Sequence, residues 1–248
     1  MDRRLENKRA LVTGASRGIG AAIARRLARE GAHVALTYVG NPDQADQTVK
    51  AIQALGVKAL AIRADSADAV AVVAAVERAV NELGGIDILV NNAGIAIISP
   101  LDDFRLEDFD RILAVNVRAV FVATQAAVKH MRMGGRIINV GSCNAERIPF
   151  VGGGVYGMSK AALVGLVKGL ARDLGPRGIT INNVAPGPVD TDMNPATSDF
   201  AKLTVERFMA LPRYGTGDEI ASLVSWLASA EASYVTGANL AIDGGYTA

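Results

Sequence analysis

Tyr156 and Lys160 stand four residues apart in the run Tyr156-Gly157-Met158-Ser159-Lys160. On a helix that spacing puts the phenol and the ammonium on one face. A tyrosine ordinarily titrates near pH ~10, too high to exchange protons readily at neutrality. A cation beside it favours phenolate and lowers that value, making Tyr156 a candidate proton donor to a carbonyl oxygen. A lone Tyr-x-x-x-Lys recurs by accident, so the pair gains meaning only from its company. That company begins with Thr13-Gly14-Ala15-Ser16-Arg17-Gly18-Ile19-Gly20. Its glycines let the backbone turn sharply and approach a pyrophosphate, while a helix beginning there offers N–H donors and positive dipole. The spacing is Gly-x-x-x-Gly-x-Gly rather than the commoner Gly-x-Gly-x-x-Gly.

The residues after the next strand-like run choose between two dinucleotides. A carboxylate about 20 residues beyond such a turn binds a ribose 2′-hydroxyl and repels a 2′-phosphate. Tyr38 holds that place, and Tyr38 to Pro42 contains no acid. Arg17 offers a guanidinium to the phosphate and Asn41 a hydrogen bond, so NADP(H) is the expected cofactor. Asp65 and Ser66 are positioned to bracket the adenine. Asn91-Asn92-Ala93-Gly94 is small enough to let backbone pass close to the cofactor.

These groups need a frame, and the hydrophobic periodicity supplies one. Strand-like runs at Arg9–Thr13, Ala32–Tyr38, Lys58–Ile62, Ile86–Asn91, Arg136–Gly141, Thr180–Val184 and Asn239–Ile242 alternate with helical patterns. The helices are expected at Gly18–Glu30, within Pro42–Leu55, at Ala67–Leu83, at Leu106–Met131 and at Val155–Leu174. A last one runs from a Thr216/Glu219 capping box to about Ala228. Wholly apolar strands alternating with helices imply an α/β fold: a doubly wound parallel sheet of about seven strands, the Rossmann arrangement, with helices on both faces. Ligands bind beyond the carboxyl ends of such strands. There lie the groups after Thr13, Tyr38 and Ile62, at Asn91 and Ser142, and around Pro186.

No repeat, low-complexity tract or linker divides the 248 residues, so one domain spanning 1–248 is expected. Lys and Arg (26) balance Asp and Glu (25), which gives no electrostatic case for nucleic acid or an anionic membrane. Met1–Ala10 is charged and lacks a signal peptide's apolar run, and charges interrupt every stretch long enough to span a bilayer. The single cysteine, Cys143, suits a reducing cytoplasm. His33 and His130 lie in no ligand-spaced motif, so no metal site is expected.

Assembled in order, these motifs resemble the short-chain dehydrogenase/reductase family in its one-domain form of about 250 residues, and the resemblance covers essentially the whole chain. It rests on Thr13–Gly20, Asn91–Gly94, Asn116 in Leu113-Ala114-Val115-Asn116-Val117, Ser142, Tyr156/Lys160, Pro186-Gly187 and Asp243-Gly244-Gly245. The resemblance implies Tyr156 as general acid in reduction, Ser142 orienting the substrate oxygen, and Lys160 binding the nicotinamide ribose while depressing the Tyr156 pKa. It implies Asn116 holding a water that links Lys160 to solvent, and Pro186, Gly187, Val189 and Thr191 lining the nicotinamide. It also implies a homotetramer, with interface helices around Leu106–Met131 and Val155–Leu174. One spacing departs from the family: Ser142 stands fourteen residues before Tyr156, and the usual thirteen falls on Cys143. Strand register favours Ser142. The loop Ser142–Pro149 also looks less like fatty-acid-type ketoacyl reductases than like a smaller bacterial branch, one member of which has been credited with cyclic-dinucleotide binding.

The implied reaction is hydride transfer from NADPH to a small-molecule ketone or aldehyde. An imine at the same site, and a non-catalytic nucleotide sensor on the same fold, are the alternatives. Substrate choice is expected in Pro188–Tyr214, where Phe200, Leu203, Phe208 and Met209 would form an apolar helical face. Phe150, Val151 and the turn Gly152-Gly153-Gly154 stand beside the acid.

Overall fold

The central strands of the sheet are covered on both faces. The computed structural model describes residues 3–248; Met1 and Asp2, the start of the charged N-terminal stretch, lie outside the described residues. The strands are β1 (Arg9–Val12), β2 (His33–Tyr38), β3 (Ala59–Arg63), β4 (Ile88–Asn91), β5 (Arg136–Val140), β6 (Thr180–Pro186) and β7 (Asn239–Ile242). They form one sheet in the order β3-β2-β1-β4-β5-β6-β7, with every neighbouring pair parallel. The helices are α1 (Gly18–Arg29), α2 (Pro42–Gln53), α3 (Ala69–Leu83), α4 (Leu106–Leu113), α5 (Ala119–Ala127), α6 (Gly154–Leu174), α7 (Asp199–Phe208) and α8 (Gly217–Ala228). No helix among the described residues is long and apolar enough to cross a membrane.

Alternation along each strand divides the core in two. Ala10, Val12, Val34, Leu36, Val90, Ile138 and Val184 pack with Ile23 and Leu27 of α1 and Ile220, Val224 and Leu227 of α8. Leu11, Ala35, Leu89, Ile137 and Ile181 pack on the other face with Val72 and Val76 of α3, Ala123 of α5 and Val167 of α6. Each fully buried Leu, Ile or Val contributes roughly 1.5–3 kcal/mol. The chain moves outward from β1 to β3 and then returns to β4. The crevice between β1 and β4 is therefore the switch point where such sheets bind ligands. Both halves of the Thr216/Glu219 capping box are made, at 3.3 and 2.9 Å.

Most element bounds shift by one or two residues from the sequence reading, and two differences have a visible cause or consequence. The fourth strand starts at Ile88, not Ile86, because Asp87 receives the Arg9 backbone N–H (2.9 Å) and guanidinium (2.7 and 2.9 Å) before the ladder begins. The long helical region expected over Leu106–Met131 is present to Ala127, but it widens into a π turn at Ala114–Arg118 between α4 and α5 and ends in turns. Such π turns cluster at functional sites, and this one contains Asn116.

A polar row, buried at Asn91, Asn139 and Asn183, also crosses the sheet. Asn91, Asn139, Asn183 and Asn239 stand in register on four neighbouring strands. Asn91 donates to Asn139 Oδ1 (2.9 Å) and to Thr124 Oγ1 (3.2 Å), and Asn183 donates to Asn239 Oδ1 (2.6 Å). A one-residue slip would turn these amides into the opposite apolar layer, so the row pins register near the carboxyl ends.

Candidate active site

Gly14 has φ +63, and a Cβ there would lie 2.9 Å from Ala93 Cα, so only glycine lets β1's exit pass the segment leaving β4. Thr13 Oγ1 accepts the N–H groups of Asn92 and Ala93 (3.0 Å each), and Asn92 Nδ2 donates to the carbonyls of Thr13 and Gly14 (2.9 Å each). The Asn92 side chain is thus spent on holding the turn together. Gly18 opens α1 with Arg17 as its N-cap and no side-chain cap, leaving the first helical N–H groups for an anion. Ser16 anchors the turn through its carbonyl, which accepts Thr48 Oγ1 (3.0 Å), and Ile19 packs into the core below.

On the other side of the crevice, α6 carries Tyr156, Ser159 and Lys160. Lys160 is 5% exposed, and its Nζ donates to the Val140 carbonyl at 3.0 Å. It lies 5.9 Å from the Tyr156 ring centroid. Burial pushes the ammonium down to about 8. The phenol does not move as expected from its neighbour: burial pushes Tyr156 up, a hydrogen bond with Ser142 partly opposes this, and Cys143 adds to the rise. Spacing alone forecast a cation lowering a phenol, but the fold buries both.

Asn116 sits in the wide turn and faces the same place. Its Oδ1 accepts the Ile95 N–H (2.9 Å), and its Nδ2 donates to the Ile95 carbonyl (2.9 Å) and to Ser159 Oγ (3.0 Å). Ser159 in turn donates to the Tyr156 carbonyl at 2.7 Å. Sequence reasoning missed Ser159 and Ile95. The first hides inside the Tyr-x-x-x-Lys run, and the second acts only through its backbone. Gly94 passes so near that a Cβ on it would lie 3.2 Å from Lys160 Nζ.

Ser142 stands two residues beyond Val140 and caps a short turn, accepting the Asn144 N–H at 3.1 Å. Cys143 is 5% exposed, and burial, then Asp243, pushes its thiol up to about 12. Of the two positions that the spacing left in competition, Ser142 favours the charged form of the phenol and Cys143 disfavours it.

The remaining cofactor candidates gather around the crevice. Tyr38 ends β2 half-buried, Asn41 caps α2 by accepting the Gln44 N–H (3.2 Å), and Asp65 accepts the Ala67 N–H (2.9 Å) beside Ser66. Pro186 ends β6, Gly187 donates to the Ile242 carbonyl (3.1 Å), and Val189 is buried beside Gly215. Thr191 returns to the glycine turn, its Cγ2 3.8 Å from where a Gly18 Cβ would stand. Arg17 pairs with Asp192 at 3.3 Å, an exposed contact that joins the glycine turn to the Pro188–Tyr214 segment. Asp192 carried no signal in the sequence.

Phe200 and Leu203 of α7 remain exposed, Ala201 and Thr204 are its buried positions, and Met209 lies just past its end. Phe150 meets Phe200 edge to face with centroids 6.3 Å apart. Gly152 makes a tight turn at φ +86 against Ser99, whose N–H donates to the Gly152 carbonyl (3.3 Å). Among the described residues no three His, Cys, Asp or Glu side chains gather as metal ligands.

Known proteins share this fold. The family model described as enoyl-(acyl carrier protein) reductase matches residues 14–247. A short-chain dehydrogenase/reductase from Serratia marcescens is 57% identical, with TM-score 0.97, covering 99% of this chain and 100% of that one. The chain belongs to the short-chain dehydrogenase/reductase family. A second family member, a short-chain dehydrogenase from Burkholderia cenocepacia solved in complex with NADP, is 56% identical with TM-score 0.97 over 99% and 100% of the two chains. A third relative, 45% identical over 97% of this chain and 98% of its own length, is the cyclic-di-GMP-binding biofilm dispersal mediator protein of Escherichia coli.

Proposed function

We propose that the chain is an NADPH-dependent reductase of a small-molecule ketone or aldehyde. The observation that carries this reading is the convergence of Tyr156, Ser142, Lys160 and Asn116 at the carboxyl ends of β4 and β5, beside a glycine turn that opens α1. Hydride would pass from the nicotinamide to the carbonyl carbon while Tyr156 donates a proton to the oxygen. Ser142 would hydrogen-bond that oxygen, and Lys160 would hold the ribose. Asn116, fixed on Ile95 and Ser159, would keep a proton path to Lys160 open. The pyrophosphate would lie on the N–H groups from Gly14 to Gly20, with Asn92, Ala93 and Gly94 as its floor. Pro186, Gly187, Val189 and Thr191 would flank the nicotinamide, and Asp65 and Ser66 the adenine.

NADPH rather than NADH follows from Arg17, Tyr38 and Asn41 around the ribose, and the NADP complex of the Burkholderia relative supports it. The test is NADPH oxidation over aliphatic and aryl ketones, a β-keto ester and an aldehyde. Arg17→Ala should raise the KM for NADPH about tenfold, as loss of one charged phosphate contact does, and leave that for NADH unchanged. Better catalytic efficiency with NADH would overturn the cofactor assignment.

The Escherichia coli relative's name favours a second reading, a cyclic-dinucleotide sensor. A sensor has no use for a proton donor, and this chain keeps one. Tight cyclic-di-GMP binding with no turnover of any carbonyl probe would decide for the sensor. A single domain and a homotetramer complete the reading. In α6, Leu163 and Val167 are buried, while Ala161, Gly165 and Gly169 stay open at four-residue spacing, a flat face suited to a second copy. Light scattering tests it.

A further inference from the structure

Arg147 lies in the loop between Ser142 and Tyr156, and it touches three separate parts of the chain. Its backbone N–H donates to the Cys143 carbonyl at 3.1 Å, closing the turn that Ser142 caps. Its Nη1 donates to the Tyr246 carbonyl at 2.7 Å and reaches the Ala248 carbonyl at 3.5 Å. Its guanidinium lies 5.8 Å from the centroid of the Phe208 ring, on the last residue of α7. Phe208 meets the buried Tyr246 ring edge to face, with centroids 6.1 Å apart, so the three contacts close a triangle.

The segment after β7 is itself well held. The Asp243 carboxylate accepts the N–H groups of Gly245 and Thr247 at 3.0 Å each and the Thr247 hydroxyl at 2.6 Å. The Gly244 carbonyl accepts the Leu211 N–H at 2.9 Å. Arg147 therefore ties the Ser142 loop to a fixed point and to the foot of the substrate helix at once. At the other end of the same loop, Phe150 meets Phe200 at the head of α7. Loop and helix are pinned at both ends.

We infer that Arg147 is a positioning residue that sets the distance between the substrate helix and the Ser142/Tyr156 pair. It acts on the substrate side and not on the dinucleotide side, and in this it rests on the reductase reading. None of its contacts falls on the glycine turn, on Asn92–Gly94 or on the Pro186–Thr191 strip.

The test compares Arg147→Gln, Arg147→Lys and Phe208→Leu in the full chain with NADPH and ethyl acetoacetate as probes, alongside hydrogen exchange of each variant. Arg147→Gln should raise the KM for the ketone about tenfold and change kcat less, with NADPH affinity unchanged. Arg147→Lys, which keeps a cation over the ring, should recover part of the loss. Phe208→Leu should give the same pattern, and the double substitution should cost less than the two singles together. Exchange should quicken in Cys143–Val151 and Asp199–Phe208 together and stay unchanged in Gly14–Gly20. Additive single and double effects, equal loss of NADPH binding, or exchange that quickens throughout the chain would overturn the inference. If the unsubstituted chain reduces no carbonyl, the reductase reading falls, and the paired exchange response alone decides for or against the link.

Discussion

The two ends of the sheet treat buried charge in opposite ways. At the amino ends of the strands, Glu30 is 5% exposed and receives Arg4 at 3.0 and 3.1 Å, Arg26 at 2.6 Å, and the Ser225 hydroxyl. Burial alone would push its carboxyl up, but the hydrogen bonds from Ser225, Arg26 and Arg4 together hold it below the ordinary value. At the carboxyl ends, Lys160 is equally buried and has one neutral carbonyl at 3.0 Å. Nothing offsets its burial, and its pKa falls to about 8. A fully partnered charge fastens the fold, whereas an under-partnered one is held at a cost and kept within reach of neutral pH for chemistry.

Removing the proposed proton donor should have the largest effect. Tyr156→Phe keeps the ring's packing and deletes only the hydroxyl, so kcat should fall roughly 10³- to 10⁴-fold, toward the upper end of what a positioned acid contributes. Ser142→Ala should follow at about 10²- to 10³-fold, as for loss of one donor to a developing oxyanion. Both variants should melt within a few degrees of the unsubstituted chain. Large losses of stability instead would place these groups with Glu30, as fasteners.

Glu30→Gln tests the other end. It leaves Arg4 and Arg26 facing a neutral amide, and breaking such a buried set costs about 3 kcal/mol or more in denaturant unfolding, with turnover per folded molecule unchanged. The pH dependence has a definite sign. Because Glu30 and Asp87 titrate lower in the folded chain than in the unfolded one, the stability they contribute is present above the ordinary carboxylate range and is lost as pH falls through it. The Glu30→Gln variant should lose less stability on acidification. An identical acid profile would remove Glu30 from this role.

These contrasts bear on what the sequence could disclose. Strand and helix placement were legible because runs of apolar residues and the cap at Thr216 are local signals. Tyr156, Lys160 and the glycine turn were legible because their spacing is fixed by one element. The phenol's upward shift was not, since it depends on how deeply α6 is buried rather than on four-residue spacing. Nor was the π turn at Ala114–Arg118, where the helical backbone widens without breaking and aims Asn116 at Ile95. Glu30 with Ser225, 195 residues apart, and Arg17 with Asp192, 175 apart, are contacts that only the closed sheet creates.

Lys160→Met should sharpen the comparison by moving two observables in opposite directions. Turnover should be lost. Yet removing a cation whose pKa has dropped from its ordinary value to about 8 relieves on the order of 3 kcal/mol of burial cost at pH 7, less about 1 for the abandoned Val140 carbonyl. A net gain of about 2 kcal/mol should raise the melting temperature by roughly 5 °C. Between about pH 8 and the ordinary lysine range the unfolded chain holds a proton that the folded chain has released, so native stability rises with pH across that window. The variant's advantage should shrink over the same window. In the unsubstituted chain, kcat/KM for reduction should fall as pH rises through about 8. A variant less stable at pH 7 would mean that Lys160 is partnered as well as Glu30 is.

The smallest effect belongs to Cys143, which stands where the family's spacing would put the serine. A thiol pushed up to about 12 stays protonated at every working pH, so it supplies neither a nucleophile nor a strong hydrogen bond to a developing alkoxide. Its contribution is packing: it is buried beside Ser142, with a weak contact to Asn144 Oδ1 at 3.6 Å. Cys143→Ala should cost roughly 1 kcal/mol of stability and change kcat by less than about threefold. Were it instead to abolish turnover while Ser142→Ala did not, the thirteen-residue count would govern and the strand register would be the wrong guide. The extra residue in the Cys143–Gly154 loop would then lie before the catalytic position, not after it. The comparison between the two ends of the sheet would survive, because it rests on Lys160 and Glu30. The orienting partner of Tyr156 would change identity, and a neutral thiol would have to do the work of a hydroxyl. Ser142 opposes the rise of the phenol's pKa and Cys143 adds to it, which argues against that outcome.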